Sequence, residues 1–445
     1  MYNFPQYLFC DVRIETTYRS LIRIEMGRLE EIKEKTDTGA FIRVFDGNRW
    51  YYSSTTGIDG IQMEIDALAR LASENREISN NPVVKKLQVN SGDYMNFLGH
   101  EVEKTSLPEK RQLLESYLDL VSRRREITHW SGVYTDSHCE KKMFSSLGTN
   151  LRFDTQLAGL RLGIRFGTGK EVFSESWCKA ADGFDKLQNL HSEAKDYIEQ
   201  ACQFFENAQK IEGGNYCVVL SPLAAGIFAH ESFGHKSEAD FMIGDESMKK
   251  EWSLGKKVGA EILNICDTGQ MPGSGFCPFD DEGTRAEKTR LICGGRLEGR
   301  LHSAQTAAEL AESATGNARS VGFEFEPIVR MTCTYIEPGS MSKDELFAGI
   351  EKGIFIDTVK HGSGMSTFTL APSMAYLIEN GKIGKPVKFS VITGNVMTTL
   401  DKIDAISDQL EILSFVGGGC GKMEQYPLPV SFGGPFVRIS EINVQ

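Results

Sequence analysis

"NYCVVLSPLAAGIFAHESFGH", residues 215–235, runs from a short β-branched stretch through Ser-Pro into an apolar segment ending on His-Glu-x-x-x-His. Residues 216–220 read as a strand. Ser221 is a favoured helix N-cap and Pro222 a favoured first helical residue, so a helix opens there. His230 and Glu231 then fall on its third turn. In the H-E-x-x-H signature of zinc proteases the second histidine follows the first by four positions; here it follows by five. A regular helix advances roughly 100° per residue, which sets His230 and His235 about 140° apart, too far to share an ion. Two adjustments would bring them together. One is a π-bulge, whose i→i+5 bond stacks the two positions; the other is a helix end at Gly234 that folds His235 back. Gly234 makes either route sterically easy. By itself the pattern also fits a capping histidine beside a solvent-facing glutamate. Histidine is scarce, eight in 445 residues, so two of them flanking a glutamate is uncommon by chance.

The length suits two or three domains. A net charge of −12 argues against binding a phosphate backbone, and "SRRRE" at 122–126 reads as a solvated helix end. The longest apolar runs, "YCVVL" and "LAAGIFA", fall far short of a membrane span, so no membrane association is expected. The opening "MYNFPQYLFCDVRIE" shows neither a basic n-region nor a small-residue cleavage site, so no signal peptide is expected. Ten cysteines without a C-x-x-C pair fit reduced thiols in the cytoplasm. Cys10, Cys202, Cys217 and Cys333 stand in apolar text and read as small core residues.

The expected fold class is α+β. "FIRVFDGNRWYYSS" carries a turn at Asp46-Gly47-Asn48 and reads as a hairpin. "IQMEIDALARLASE" has helical spacing, and "SLPEKRQLLESYLDLVSRR" opens on the capping-box pair Ser106 and Glu109. Residues 126–176 read as a meander of strands, and "SEAKDYIEQACQFFENAQK" as a long helix. The second half is richer in glycine and short strands, with a helix capped by Ser342; it reads as mostly antiparallel and barrel-like. The expected division is an N-terminal α+β domain over 1–212 and a C-terminal β-rich domain over 213–445 that carries the histidine helix.

His230-Glu231-x-x-Gly234-His235-x-x-Glu238-x-Asp240 resembles the core motif of the TldD/PmbA family of peptidases, on the catalytic TldD side. "DDEGT" at 280–284, "TGNAR" at 315–319, "PIVRMTCTYIEPG" at 327–339, "AYLIENGKIGKPV" at 375–387 and "CGK" at 420–422 follow in the family's order. The resemblance implies a zinc metallopeptidase whose ligands are His230, His235 and a cysteine from the C-terminal glycine-rich segment, Cys420. Without the family, Cys420 is a thiol in a loop where glycines let backbone approach an ion. The same segment is not a phosphate loop, which would need glycine at Val416 and a hydroxyl at Met423.

Two imidazoles and a thiolate leave a fourth position for water, as a catalytic zinc requires. Glu231 is the expected general base and later proton donor. Glu238 and Asp240 are expected acceptors for a histidine N–H or solvated helix-end groups. Arg319, in a matching block, and His302 and His361, between the blocks, have no role legible in sequence. The leading expectation is a zinc peptidase acting on peptides and unfolded proteins, as a homodimer or a heterodimer with a PmbA-like subunit. The alternative is a non-catalytic or regulatory partner subunit of such a complex. A nucleobase deaminase would need a C-x-x-C that the chain lacks. A DNA-binding role, suggested by older family names that mention gyrase, finds no support in the charge.

Overall fold

The computed structural model describes residues 2–167, 169, 171–364 and 366–445. It is a sheet-rich α+β protein with eight α-helices among these residues and a sheet curled into a half-barrel. β1 (Phe9–Glu25) and β2 (Arg28–Phe45) form a long antiparallel hairpin. β3 (Trp50–Thr55) returns along β2 after a turn in which Asp46 accepts from the Asn48 and Arg49 N–H groups, 2.8 Å each. β4 (Ser91–Tyr94), β5 (Ile127–Ser145), β6 (Asn150–Phe166) and β7 (Phe173–Ala181) complete a seven-stranded sheet ordered β3-β2-β1-β5-β6-β4, with β7 also on β6.

Three helices serve this sheet: α1 (Ile61–Leu71), α2 (Leu107–Ser122) and α3 (His191–Asn207). The capping box of Ser106 and Glu109 fixes the start of α2. Its buried face, Leu114, Tyr117, Leu118 and Val121, joins Tyr134 of β5 and Leu160 and Leu162 of β6 in one apolar cluster. β8 (Gln209–Lys210), just before the expected division, already pairs in parallel with Val387–Lys388 of the second half.

The second half holds a ten-stranded sheet and a six-stranded sheet. The larger contains β9 (Gly214–Leu220) near its middle and ends at two edges, Val359–Gly364 and β8. Most pairings are antiparallel; β9 runs parallel to Lys352–Ile356. The helix α4 (Pro222–Ala229) follows β9. It touches Phe368 of the larger sheet through Phe228, and a Cβ on Gly226 would stand 2.5 Å from the Gly433 nitrogen of the smaller one. An amphipathic pattern is absent from "PLAAGIFA" because both faces are covered.

The "DDEGT" block links the halves. Arg43 of β2 pairs with Asp11 and reaches Glu282 at 3.0 Å, and Lys141 of β5 pairs with Asp281. Among the described residues no helix is long and apolar enough to cross a membrane.

Candidate metal centre

Ser221 caps α4 as its type and position require. Its hydroxyl accepts from the Ala224 N–H at 3.2 Å and donates to the Asp357 carbonyl at 2.6 Å. The chain then takes the π route: His230–Gly234 forms a π turn, closed by the His235 N–H donating to the His230 carbonyl. The i→i+5 bond brings the two imidazoles together, with ring centroids 5.1 Å apart at 79°. Gly234 itself is α-helical, at φ −54° and ψ −52°, so its conformational freedom is not what the turn uses. Its smallness is: a Cβ there would run into Met331 Sδ.

Cys420 enters from the hairpin Cys420–Lys422 with Gln425–Leu428. One ligand-type atom each from His230, His235 and Cys420 lies within 4.8 Å of the others. Cys420 Sγ stands 3.6 Å from His235 Nε2. Burial pushes the Cys420 thiol up, but hydrogen bonds and charge from both histidines outweigh it and bring it down to about 5. Burial pushes His235 down, while Cys420 and Glu238 lift it to about 10. Nδ1 of His230 is buried with no hydrogen-bond partner among the described residues. An orphaned imidazole nitrogen beside an ionised thiol and a second imidazole is a donor set that fits a zinc ion.

His235 is oriented from behind. Its Nδ1 lies 3.2 Å from Glu238 Oε2, which leaves Nε2 facing Cys420. Glu238 is fully buried, and Lys422 Nζ sits 3.1 Å from the same oxygen. Asp240 does not reach a histidine; both its oxygens accept from Lys422 at 2.7 Å. A carboxylate that holds the far nitrogen of a metal-ligating histidine, as Glu238 would for His235, carries roughly 10–100-fold in metal affinity. Glu238→Gln is therefore expected to weaken zinc binding by about that factor, measured by competition with a chromophoric chelator.

Glu231, on the same π turn, is only partly buried. The edge strand Val359–Gly364 packs on it: a Cβ on Gly362 would lie 3.1 Å from Glu231 Cγ, and one on Gly364 2.9 Å from the Glu231 carbonyl oxygen. Gly362→Ala should press on the Glu231 side chain at Cγ, together with the Leu370 and Ile227 side chains, without meeting His230, His235 or Cys420. A displacement of about 1 Å can cost on the order of 10²-fold in rate. We expect a fall in kcat of that order with zinc content intact, checked by metal analysis beside the kinetics.

Several positions of the sequence blocks turn out to build the frame. Arg330, fully buried, donates to the carbonyls of Cys420 at 2.7 Å and Gln425 at 3.3 Å, fixing the cysteine hairpin. Arg319 donates to the Met331 and Pro429 carbonyls, and Asn317 to the Arg330 carbonyl. His302 bonds Thr306 and Glu312, and His361 is exposed. Neither belongs to the cluster. Arg330 and Lys422 give no sequence signal beyond their place in the blocks, since each acts on residues distant in the chain.

A strand–helix frame carrying two histidines and a glutamate, completed by a buried cysteine, is the architecture of a metal-dependent hydrolase. Comparison with known proteins agrees. Residues 213–445 match the PmbA/TldA metallopeptidase C-terminal domain and residues 10–79 match domain 1 of the same metallopeptidases. A Synechocystis metalloprotease is 32% identical over 98% of this chain and 94% of its own length. A zinc metalloprotease TldD homologue of Saccharolobus solfataricus is 28% identical over 98% and 96%. Among solved structures, TldE from Thermococcus kodakarensis superposes with a TM-score of 0.76 at 15% identity, covering 98% of this chain and 96% of its own. A Thermotoga maritima protein described as a modulator of a DNA gyrase gives 0.78 at 20%, with the same coverage. The chain belongs to the PmbA/TldD family and is a metallopeptidase.

Proposed function

We propose that this chain is a zinc-dependent peptidase of the TldD type that hydrolyses peptides and unfolded proteins. The observation that carries the reading is the meeting of His230, His235 and Cys420 beside a glutamate on the same π turn. His230, His235 and Cys420 would hold the ion; Glu238 and Lys422 hold His235 in place. When bound, zinc supplies Lewis-acid chemistry that acidifies water and polarises the scissile carbonyl. Glu231 takes the proton of the attacking water at a carboxylate oxygen and delivers it to the departing amine nitrogen. As the only carboxylate on the π turn, it can do this without serving as a ligand. The test is metal analysis together with cleavage of an unstructured peptide mixture, by the chain alone and with a PmbA-like partner.

The proposal includes the division at 212/213 and a cytoplasmic setting, the latter resting on thiols that are unpaired among the described residues. It also includes an enclosed site formed by two chains, either two copies or this chain with a PmbA-like subunit. The structural likeness to a protein named TldE is what supports a paired subunit. An enclosed site would admit an extended segment held by main-chain hydrogen bonds at a sheet edge, such as Val359–Gly364. A folded substrate could not present such a segment. A stable domain should therefore resist cleavage while its destabilised mutant is degraded. Equal rates on both, or full activity from a strictly monomeric species, would contradict the enclosure.

A further inference from the structure

A cavity of about 350 Å³ lies between the first sheet and the loop that leads into Cys420. The size falls in the range of about 300–1,000 Å³ typical of ligand pockets. Thr17 of β1, Ser137 of β5 and Thr155 of β6 line its sheet side, and Phe276, Phe415 and Leu428 line the other. Three observations tie it to the metal centre. Phe415 stacks on Phe432 at 4.9 Å, and the Phe432 ring lies 5.9 Å from that of His230. Leu428 stands directly opposite Cys420 in the hairpin, so both side chains leave the same face. Gly417 and Gly418, also on the cavity wall, are exposed, and a Cβ on either would meet nothing within 4 Å. The wall of the cavity is thus open at these two positions, two and three residues before Cys420.

The chemistry of the walls says what fits. Each charged group at the cavity already has a partner: Lys141 pairs with Asp281 and Glu15, Asp136 with Lys110, Arg319 with two backbone carbonyls, and Arg19, the most exposed of them, with Asp37 at 3.8 Å. Selection for a charged side chain is not built in. What remains is small hydroxyls along the strands, facing aromatic and aliphatic side chains. That pairing suits an extended segment that lays one large apolar side chain on the Phe276 and Phe415 rings.

We propose that this cavity is a substrate subsite that takes an apolar side chain a few residues from the scissile bond. The inference rests on the peptidase reading above and sharpens its substrate class. Large apolar side chains are what a folded protein buries and an unfolded one exposes. The subsite would favour unfolded chains by their chemistry as well as by their extended shape.

Binding tests this separately from turnover. The zinc-loaded full chain carrying Glu231→Gln is titrated with labelled Gly/Ser peptides in which a single Leu is moved position by position. One register should bind about tenfold or more tighter than the all-polar peptide, the size expected for removing a leucine side chain from water. Thr155→Trp and Ser137→Trp, each added to the Glu231→Gln chain, fill the cavity from neighbouring strands. Each should reduce that gain to no more than about twofold. Zinc content and circular dichroism identify a filled chain that fails to fold, and the other then decides. A Leu gain that persists in a folded filled chain, or no register with a gain in the unfilled chain, would overturn the subsite. Peptide cleavage by the chain with Glu231 intact addresses the peptidase reading alone, so the two failures are distinct.

Discussion

Glu231→Gln should lower peptide hydrolysis by about 10²–10⁴-fold, the contribution typical of a positioned general base, while the chain keeps its zinc. The amide is nearly isosteric with the carboxylate, so the π turn and the edge strand against it need not move. It cannot accept a proton from water at neutral pH. Retention of metal is the discriminating half of the result. The three atoms that converge belong to His230, His235 and Cys420, and none belongs to Glu231. Metal analysis and kinetics on the same preparation check it. A variant that cleaves peptides at the parent rate would remove Glu231 from the chemistry.

Cys420→Ser should release zinc. The loss should exceed the roughly 10–100-fold that removing a partner behind a ligand costs, because a hydroxyl is a poor zinc donor. Cys10→Ala and Cys202→Ala should leave zinc affinity unchanged, since both sit in apolar clusters remote from the histidines. pH adds a second check. Between the Cys420 value of about 5 and the His235 value of about 10, the metal-free pair holds one proton. Zinc must expel that proton, so affinity should rise with pH by about one decade per unit and level off above the His235 value. Acid therefore opposes zinc uptake. Chelator competition across neutral pH measures both effects, and full zinc in the serine variant would move the third ligand elsewhere, Glu238 being the nearest choice.

Much of the site was legible because its signals are local. Ser221-Pro222 marks a helix start whatever surrounds it, and a five-residue histidine spacing on a helix demands a π turn or a break if the rings are to meet. The capping boxes at Ser106 and Ser342 are equally local, and both are present. What stayed hidden depends on contacts between distant segments. Gly234 looks like a conformational device in sequence, yet its backbone is ordinary helix and Met331, almost a hundred positions on, explains it. Arg330 carries no signal in sequence beyond its place in the 327–339 block, yet the fold buries it against the Cys420 carbonyl. Residues 28–37 of β2, "RLEEIKEKTD", show no strand alternation because β3 covers β2 only from Ala40 onward, leaving this part solvated. The glycines Gly362 and Gly364 are conspicuous in sequence, but only packing shows that they make room for Glu231.

Two imidazoles and one thiolate of this chain are expected to hold a zinc ion. X-ray absorption at the zinc edge on the purified, zinc-loaded protein tests this most directly. One sulfur at about 2.3 Å and nitrogen or oxygen neighbours at about 2.0–2.1 Å are expected, with the sulfur shell gone in any metal that Cys420→Ser retains. A zinc shell without sulfur in the parent chain, or one that keeps its sulfur in the serine variant, would contradict it.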